Sequence, residues 1–447
     1  MKTLSLSAAL GCVLAWLPSF NASCQQYTFT TIAGLPRTIG SRDGTNSQAR
    51  FNFPAGITVD SRGVVYVCDL LNHRIRQVRP EGTNWVVRTL AGGAFGFADG
   101  TNGQAQFDHP TGIAVDSDGN VFVGDKYNNV IRKLTPIGTD WVVTTIAGDP
   151  TIQASNDGVN SSAHFSGPAG VAIDSSNRLY VADATGNTIR QIVANGADWV
   201  VTTVAGFADI YGDFVDGTND AAMFNAPYAM AVDAAGVLYV ADYGNHAVRR
   251  IEQIGFDWAT TTIAGTNSPG INSAGMGIPG TNDGPGFQAM FDNPSGVAVG
   301  GGGVVFVADY DNHTIRAVTP GGKNWTVSTL AGVPKISGTN DGSGIQARFN
   351  KPRDIAVTRD GVLFISDYSN QTIRMGVPLP ALQIILVGNQ VVLSWPLWAN
   401  NYVLETSPNL APAPVWTPVT DGIATAGSSF VLTNTIASTS FFRLRQQ

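Results

Sequence analysis

Short runs in which apolar and polar residues alternate, each ended by turn-forming residues, follow one another along most of this chain. Alternation with a period of about two residues indicates β-strands, and Gly, Pro, Asn and Asp between the runs indicate tight turns. The group between Phe51 and Gly92 is typical of the rest. It predicts four strands, at Gly56–Asp60, Val64–Asp69, Arg74–Val78 and Trp85–Gly92. Four consecutive strands of this length form an antiparallel meander, which is the unit of a β-propeller blade.

The same group occurs six times. In each copy an Asp-Gly pair is followed by Ala six residues after the Asp, by Phe eight residues after it, and by Pro three residues beyond the Phe. The copies recur every 56 to 67 residues and start at Asp43, Asp99, Asp157, Asp216, Asp283 and Asp341. This period is longer than that of helical repeats and suits one blade with a long connection, so the pattern predicts an all-β array of six blades.

The fourth strand of the group begins with Trp in five copies, at Trp85, Trp141, Trp199, Trp258 and Trp325. No such strand follows the sixth copy, whereas Tyr27–Gly34, ahead of the first copy, has the same pattern. We expect this N-terminal strand to complete the last blade and to close a six-bladed β-propeller, which leaves no open sheet edge.

The segments on either side of the array differ from it. Residues 1–24 contain an early Lys, an apolar run and small residues near the end, which predicts a secretory signal peptide, or a lipid-modified Cys24 as the alternative. Residues 25–377 then form the propeller, and residues 381–447 alternate like a small β-sandwich, similar to fibronectin type III modules. We expect a secreted protein, extracellular, at the cell surface or in the periplasm, with no membrane span.

Composition excludes several classes of function. Charged residues make up 13% of the chain and the net charge is -7 without basic runs, so nucleic acid is not an expected partner. If the leader is removed after Cys24, Cys68 is the remaining thiol; its equivalents in the other repeats are small residues, and it is expected to be a buried side chain. No disulfide framework, catalytic residue, metal or cofactor is predicted.

The repeats resemble the NHL repeat family. The resemblance lies in a Phe-x-x-Pro-x-Gly-Ile/Val-Ala-Val-Asp segment, a Val-Tyr-Val-Ala-Asp strand, and the turn into Thr-Ile-Arg seen at Asp309–Arg316. It covers residues 27 to 377. It implies a six-bladed propeller, and it leaves activity open, because the family includes protein-binding and RNA-binding modules, extracellular sensor domains and a few lyase-like enzymes.

Features present in every copy are expected to be structural. The Asp that ends each second strand stands seven residues before an Arg, as in Asp69 and Arg76, and a turn Asp paired with Arg explains this better than a ring of ligand-binding charge. One turn position holds His73, His246 and His313 in three copies and Asn129, Asn187 and Gln371 in the others. These residue types share hydrogen-bonding groups, so we expect a capping role there. The Asp-Gly loops lack the alternating oxygen ligands and the closing Glu of a calcium loop.

Features that differ between copies are better candidates for a site. The face that carries the Asp-Gly connections and the turns after the second strands, here called the upper face, is the expected binding surface. Where the innermost strands begin at this face, we predict ligand contacts from Tyr228, Met230, Arg353, Asp354 and Thr111. The alternative is that Arg353 and Asp354 pair with each other where the ring closes.

The leading hypothesis is a non-catalytic, monomeric module that binds a protein, peptide or glycan through its upper face. The alternative is a metal-dependent propeller lactonase or lyase with its site at the mouth of the channel. The sequence predicts no His or Glu at the mouth of an innermost strand, which favours the binding module. His109 and His164 lie in loops of the upper face and could meet at a metal, but no ligand spacing supports one.

Overall fold

The computed structural model describes residues 26–208, 214–266 and 277–380, and, further on, 382–387, 390–396, 402–408, 414–426, 429–435 and 440–446. The predicted signal peptide, residues 1–24, lies outside these ranges. Two compact units are present, Met1–Val377 and Pro378–Gln447. No helix in the described ranges has the length and apolar character needed to cross a membrane.

The first unit consists of repeated five-stranded antiparallel sheets, six in the described residues, which fit a β-propeller. The innermost strands are Pro54–Val59, Pro110–Val115, Pro168–Ile173, Pro227–Val232, Pro294–Val299 and Pro352–Val357. The second strands are Val65–Asp69, Val121–Asp125, Leu179–Asp183, Leu238–Asp242, Val305–Asp309 and Leu363–Asp367. The third strands are Arg74–Glu81, Val130–Ile137, Thr188–Asn195, Ala247–Ile254, Thr314–Gly321 and Thr372–Pro378.

The outer edge of each sheet has a long fourth strand and a two-residue fifth strand. The fourth strands are Asn84–Gly92, Asp140–Ala147, Asp198–Ala205, Asp257–Ala264, Asn324–Ala331 and, in the sixth sheet, Tyr27–Ala33. The fifth strands are Gly44–Thr45, Gly100–Thr101, Gly158–Val159, Gly217–Thr218, Gly284–Pro285 and Gly342–Ser343. A short parallel pair joins Ala94–Phe95 to Gln106–Phe107.

All described helices are three-residue 3₁₀ turns. They are Asn46–Gln48, Leu70–Asn72, Asn102–Gln104, Lys126–Asn128, Asn160–Ser162, Asn219–Ala221, Tyr243–Asn245, Gly301–Gly303, Tyr310–Asn312, Gly344–Gln346 and Tyr368–Asn370. The turns that follow the Asp-Gly pairs lead into the repeated Ala and Phe, and Ala49 and Phe51 are fully buried. The loop therefore places these two apolar side chains in the buried core.

The N-terminal strand Tyr27–Ala33 lies in the sixth sheet, between the fifth strand Gly342–Ser343 and the third strand Thr372–Pro378. This is the position that the sequence pattern predicts for it. Phe29 is fully buried and meets the ring of Phe349 edge-on, with 5.3 Å between the ring centroids. Residues from the two ends of the array thus share one sheet and one apolar core.

Apolar residues between neighbouring sheets form the core. One cluster joins the first and second sheets, through residues such as Tyr66 and Val123, and another joins the sixth sheet to the first, through Phe364 and Val65. The innermost strands lie side by side, and Pro352–Val357 lies beside Pro54–Val59. Gly56 permits this close approach, since a Cβ there would lie 2.0 Å from the carbonyl oxygen of Thr111.

The repeated Asp and Arg form a buried network, as expected for a structural role. In the second sheet, Arg132 donates to Asp125 at the end of the second strand (2.8 Å) and to Asp99 of the Asp-Gly pair (2.8 Å). Asp125 also accepts the backbone N–H of Asp108. Because both oxygens of Asp99 are occupied by Arg132 and Thr145, the Asp-Gly loop is a structural link between strands.

The turn position shared by His, Asn and Gln caps the next sheet, which confirms the capping prediction. His73, His246 and His313 accept the backbone N–H groups of His109, Asn293 and Lys351. Asn129, Asn187 and Gln371 do the same for Gly167, Ala226 and Phe53. Each acceptor belongs to one sheet and each donor to the next, so the six side chains act as latches between neighbouring sheets.

The described residues of the second unit form two antiparallel sheets. One is formed by Gln383–Val387, Gln390–Pro396, Ser429–Thr435 and Ile423–Ala426, and the other by Thr417–Pro418, Tyr402–Ser407 and Phe441–Gln446. Its buried core contains Leu393, Trp395, Leu404 and Leu432.

Candidate ligand-binding site

The six innermost strands line a cavity of about 280 Å³. Gly and small or branched apolar residues form most of its wall. Tyr228 and Arg353 interrupt this pattern at the upper end, where the innermost strands begin. The upper end of the cavity is therefore the place where the six repeats differ in chemistry.

The Arg353 guanidinium lies among three tyrosine rings. Its central carbon is 4.2 Å from the ring centroid of Tyr228, 5.1 Å from that of Tyr368 and 5.3 Å from that of Tyr310. Arg353 also donates a hydrogen bond to the Tyr228 hydroxyl. Its Nε is buried and has no hydrogen-bond partner in the described part of the chain. Cation–π contacts hold this charge without neutralising it.

The neighbouring Asp354 is used differently. Its carboxylate accepts the backbone N–H groups of Ile57 (3.0 Å) and Ile355 (2.9 Å). Ile57 belongs to the innermost strand of the first sheet, so Asp354 links the sixth sheet to the first. Burial raises the pKa of Asp354 to about 7, although the backbone donors and Arg353 act in the opposite direction.

A second cation lies beside Tyr228. The Lys126 ammonium is 5.0 Å from the ring centroid of Tyr228 and 5.8 Å from that of Tyr127. Burial, together with the nearby positive charge of Arg353, lowers the pKa of Lys126 to about 8. Two cations and several aromatic rings, from the second, fourth, fifth and sixth sheets, therefore lie close together at the mouth of the cavity.

Sequence analysis missed the residue that follows the Asp of each second strand. This position lies at the same end of the sheet as the Pro that starts the innermost strand, since Pro110 pairs with Asp125. The position is occupied by Leu70, Lys126, Ala184, Tyr243, Tyr310 and Tyr368. The residue at this position differs between repeats, as do the residues at the positions of Tyr228 and Arg353. The sequence alone therefore contained the signal that marks this position as part of a site.

The other predicted site residues lie apart from this cluster. Thr111 lines the cavity and donates its hydroxyl to the carbonyl of His109 (2.8 Å). Met230 also lines the cavity but is buried in the apolar core between the third and fourth sheets. Of the predicted contacts, the structure thus brings Tyr228 and Arg353 together, while Asp354, Thr111 and Met230 have partners of their own.

No histidine or glutamate is among the described residues that line the cavity, but one histidine lies directly before an innermost strand. His109 directly precedes Pro110, where the innermost strand of the second sheet begins. It lies beside His73, with 5.2 Å between ring centroids, and its Nδ1 is 2.6 Å from an oxygen of Asp108. His164 does not belong to this cluster; its backbone pairs with Asn156.

Comparison with known proteins agrees with the repeat pattern. The NHL repeat model matches residues 51–78, 107–134 and 165–192, and the Teneurin NHL domain model matches residues 213–319. The chain contains NHL repeats. NHL repeat-containing protein 2 of Gallus gallus is 30% identical over 310 residues, covering 62% of the chain and 40% of the relative.

A further relative, the chloroplastic protein SUPPRESSOR OF QUENCHING 1 of Arabidopsis thaliana, is 26% identical over 335 residues, covering 72% of the chain and 30% of the relative. The chain spans less than half the length of these curated relatives. A solved structure of a protein of unknown function from Bacteroides thetaiotaomicron matches with a TM-score of 0.59 at 19% identity, covering 79% of the chain and 76% of that protein. At this identity the likeness concerns the fold.

Proposed function

We propose that this chain is a secreted, non-catalytic binding module that holds an anionic group of a protein, peptide or glycan at the upper mouth of its channel. The six sheets act as the blades of one closed propeller, with Tyr27–Ala33 as the closing strand. The contact of Pro352–Val357 with Pro54–Val59 supports this closure. The described sheets of residues 381–447 serve as a fibronectin-like β-sandwich, and the protein acts as a monomer.

The pair of cations at the mouth is the observation that carries this proposal. Arg353 and Lys126 contact aromatic rings, and neither has a carboxylate oxygen within ion-pair distance in the described part of the chain, although the charge of Asp354 acts on Arg353. A partly desolvated cation without a close ion pair gains more from an incoming anion than an exposed one does. The surrounding tyrosines offer faces that pack against a sugar ring or a peptide side chain.

The cavity suits a terminal group rather than a whole ligand. Its volume of about 280 Å³ lies at the lower end of the range for small-molecule pockets. We therefore expect one charged group to enter the mouth, while the remainder of the ligand lies across the upper face.

The proposal is tested by isothermal titration of the full chain with acidic oligosaccharides and with peptides that carry a free C-terminal carboxylate. Neutral oligosaccharides and C-terminally amidated peptides are the matched probes. Arg353→Gln should weaken binding of the acidic probes by about tenfold or more, as expected for loss of a hydrogen bond to a charged group. Arg62→Gln is the control, because Arg62 is exposed and pairs with Asp60 in a turn after an innermost strand.

Binding of the charged probes in preference to the neutral ones, lost in Arg353→Gln and kept in Arg62→Gln, supports the proposal. Equal binding of charged and neutral probes, or equal affinities of the two variants, contradicts it. The melting temperature of each variant shows whether the propeller is intact.

A further inference from the structure

We propose that His73, Asp108 and His109 form a site for one divalent transition-metal ion, with Zn²⁺ the best suited. The site lies where the first and second sheets meet on the upper face. It is separate from the contacts of Arg353 and does not depend on the function proposed above.

The ligand atoms are already close together. One atom from each of the three side chains lies within 4.8 Å of the corresponding atoms of the other two. The two imidazole rings are 5.2 Å apart at an angle of 82°. The ligand atoms of a tetrahedral Zn²⁺ site stand about 2.0 to 2.2 Å from the metal, so small side-chain rotations bring them into range.

Backbone geometry fixes the two histidines against each other. His73 ends a 3₁₀ turn in the first sheet with φ 52°, and His109 precedes Pro110 in the second sheet with φ 55°. The N–H of His109 points to Nδ1 of His73 at 3.4 Å. The latch between these two sheets thus also holds two imidazoles side by side.

The donor set matches the chemistry of zinc. Two imidazoles and one carboxylate leave a fourth position for water or a ligand group. Phe95 packs edge-on against His73, and Tyr127 packs against His109, and these rings restrict the motion of both imidazoles.

The other repeats provide internal controls. His246 and His313 occupy the same turn position as His73, but Asn293 and Lys351 stand where the second sheet has His109. In the fifth sheet, Lys335 pairs with Asp292, the counterpart of Asp108. Three potential ligands therefore meet at one of these junctions, whereas the latch itself recurs at all six.

The test is titration of the full chain, purified without a polyhistidine tag and stripped with a chelator, with Zn²⁺ and with Co²⁺. We expect one Zn²⁺ per chain by calorimetry and by elemental analysis, and Co²⁺ absorption bands of a low-symmetry four-coordinate site. His73→Asn and His109→Asn should each weaken Zn²⁺ binding by about tenfold or more. Asn is found in other repeats at both positions, as Asn129 at the position of His73 and Asn293 at that of His109. His313→Asn is the matched control, because His313 occupies the same turn position as His73 in another repeat.

Stoichiometric binding that is lost in His73→Asn and His109→Asn and retained in His313→Asn supports the site. Zn²⁺ should also raise the melting temperature of the native chain more than that of His109→Asn, because a bound ligand stabilises the folded state. Binding of less than one ion per chain, or equal affinity in the native chain and His73→Asn, overturns the proposal. If His109→Asn fails to fold, the Zn²⁺ affinities of His73→Asn and Asp108→Asn test the site, and both should be reduced.

Discussion

At the scale of single residues, buried aspartates serve two purposes in this propeller. Asp125 is hydrogen-bonded to Arg132 and Asn128. The pairing of this Asp with an Arg recurs in each of the six described sheets, whereas in the third sheet Ser155 donates to Asp183 in place of an Asn. Burial raises the pKa of Asp125 to about 6 and that of Asp354 to about 7. Asp354 accepts two backbone N–H groups and no hydrogen bond from an Arg in the described residues, so its charge is the less well compensated.

The ionisation of Asp354 should therefore affect stability near neutral pH. The folded protein keeps the Asp354 proton up to about pH 7, whereas the unfolded chain releases it near about pH 4. Its contribution to stability is full below pH 4 and is lost as the pH rises through 7, by at most about 1.4 kcal/mol per pH unit. We therefore compare the free energy of unfolding of the native chain with that of Asp354→Asn. The native chain should lose stability relative to this variant as the pH rises from about 4 to about 7.

Urea denaturation at several pH values between about 4 and 8 measures this difference. Carbon NMR of the Asp354 carboxyl group provides a direct check, with its resonance assigned by comparison with Asp354→Asn. A titration midpoint near the ordinary value for Asp, about 4, would exclude this account.

At the scale of elements, the turns that follow the second strands hold neighbouring sheets together. The acceptor is His, Asn or Gln, and the donor is the backbone N–H of the residue before the Pro of the next innermost strand. All six acceptors adopt a left-handed backbone conformation, as Asn129 does with φ 53°. Asn tolerates this conformation better than most residues with a side chain, and its amide oxygen supplies the bond.

We expect Asn129→Ala to lower the free energy of unfolding by about 2 kcal/mol or more. It leaves the buried N–H of Gly167 without its acceptor and places Ala in a left-handed conformation. Asn129→His should retain most of the stability, because His serves the same role in other repeats. Urea denaturation of the two variants measures the effect. An equal loss of unfolding free energy in Asn129→Ala and Asn129→His would show that the hydrogen bond to the next sheet does not stabilise the fold.

The sequence was informative where six copies could be compared. Substitution of His by Asn and Gln at the turn position indicated a hydrogen-bonding group with a capping role, and the Asp and Arg present in every copy indicated a structural pair. The contact of His73 with His109 was not predictable in this way, because it depends on how two sheets align. Tyr243, Tyr310 and Tyr368 were missed because only the positions after the Pro were compared. The partners of Asp354 depend on where the first and last repeats meet.

At the scale of the whole molecule, the propeller depends on its first strand. Tyr27–Ala33 lies in the sheet formed by the last repeat, and Phe29 is buried against Phe349 and Gly376. Gln371 adds a latch from the sixth sheet to Phe53 of the first. The two ends of the array therefore support each other, and Asp354, the neighbour of Arg353, accepts the backbone N–H of Ile57 across the same junction.

We expect Phe29→Ala to lower the free energy of unfolding by about 3 to 5 kcal/mol, the usual loss for a fully buried Phe. Phe256→Ala is the control, because Phe256 is fully exposed and its loss should change stability by less than about 0.5 kcal/mol. Urea denaturation followed by circular dichroism compares the two variants. If Phe29→Ala and Phe256→Ala have the same free energy of unfolding, the N-terminal strand does not contribute to the cooperative unfolding of the propeller.

The claim on which the functional account depends is that the asymmetric mouth of the channel binds the ligand. A crystal structure of the full chain with a bound acidic oligosaccharide or peptide tests it most directly. We predict density for the charged group of the ligand within hydrogen-bond distance of the Arg353 guanidinium and beside the Lys126 ammonium. Density on the opposite face, on the outer edge of a sheet or on residues 378–447 alone would contradict the account.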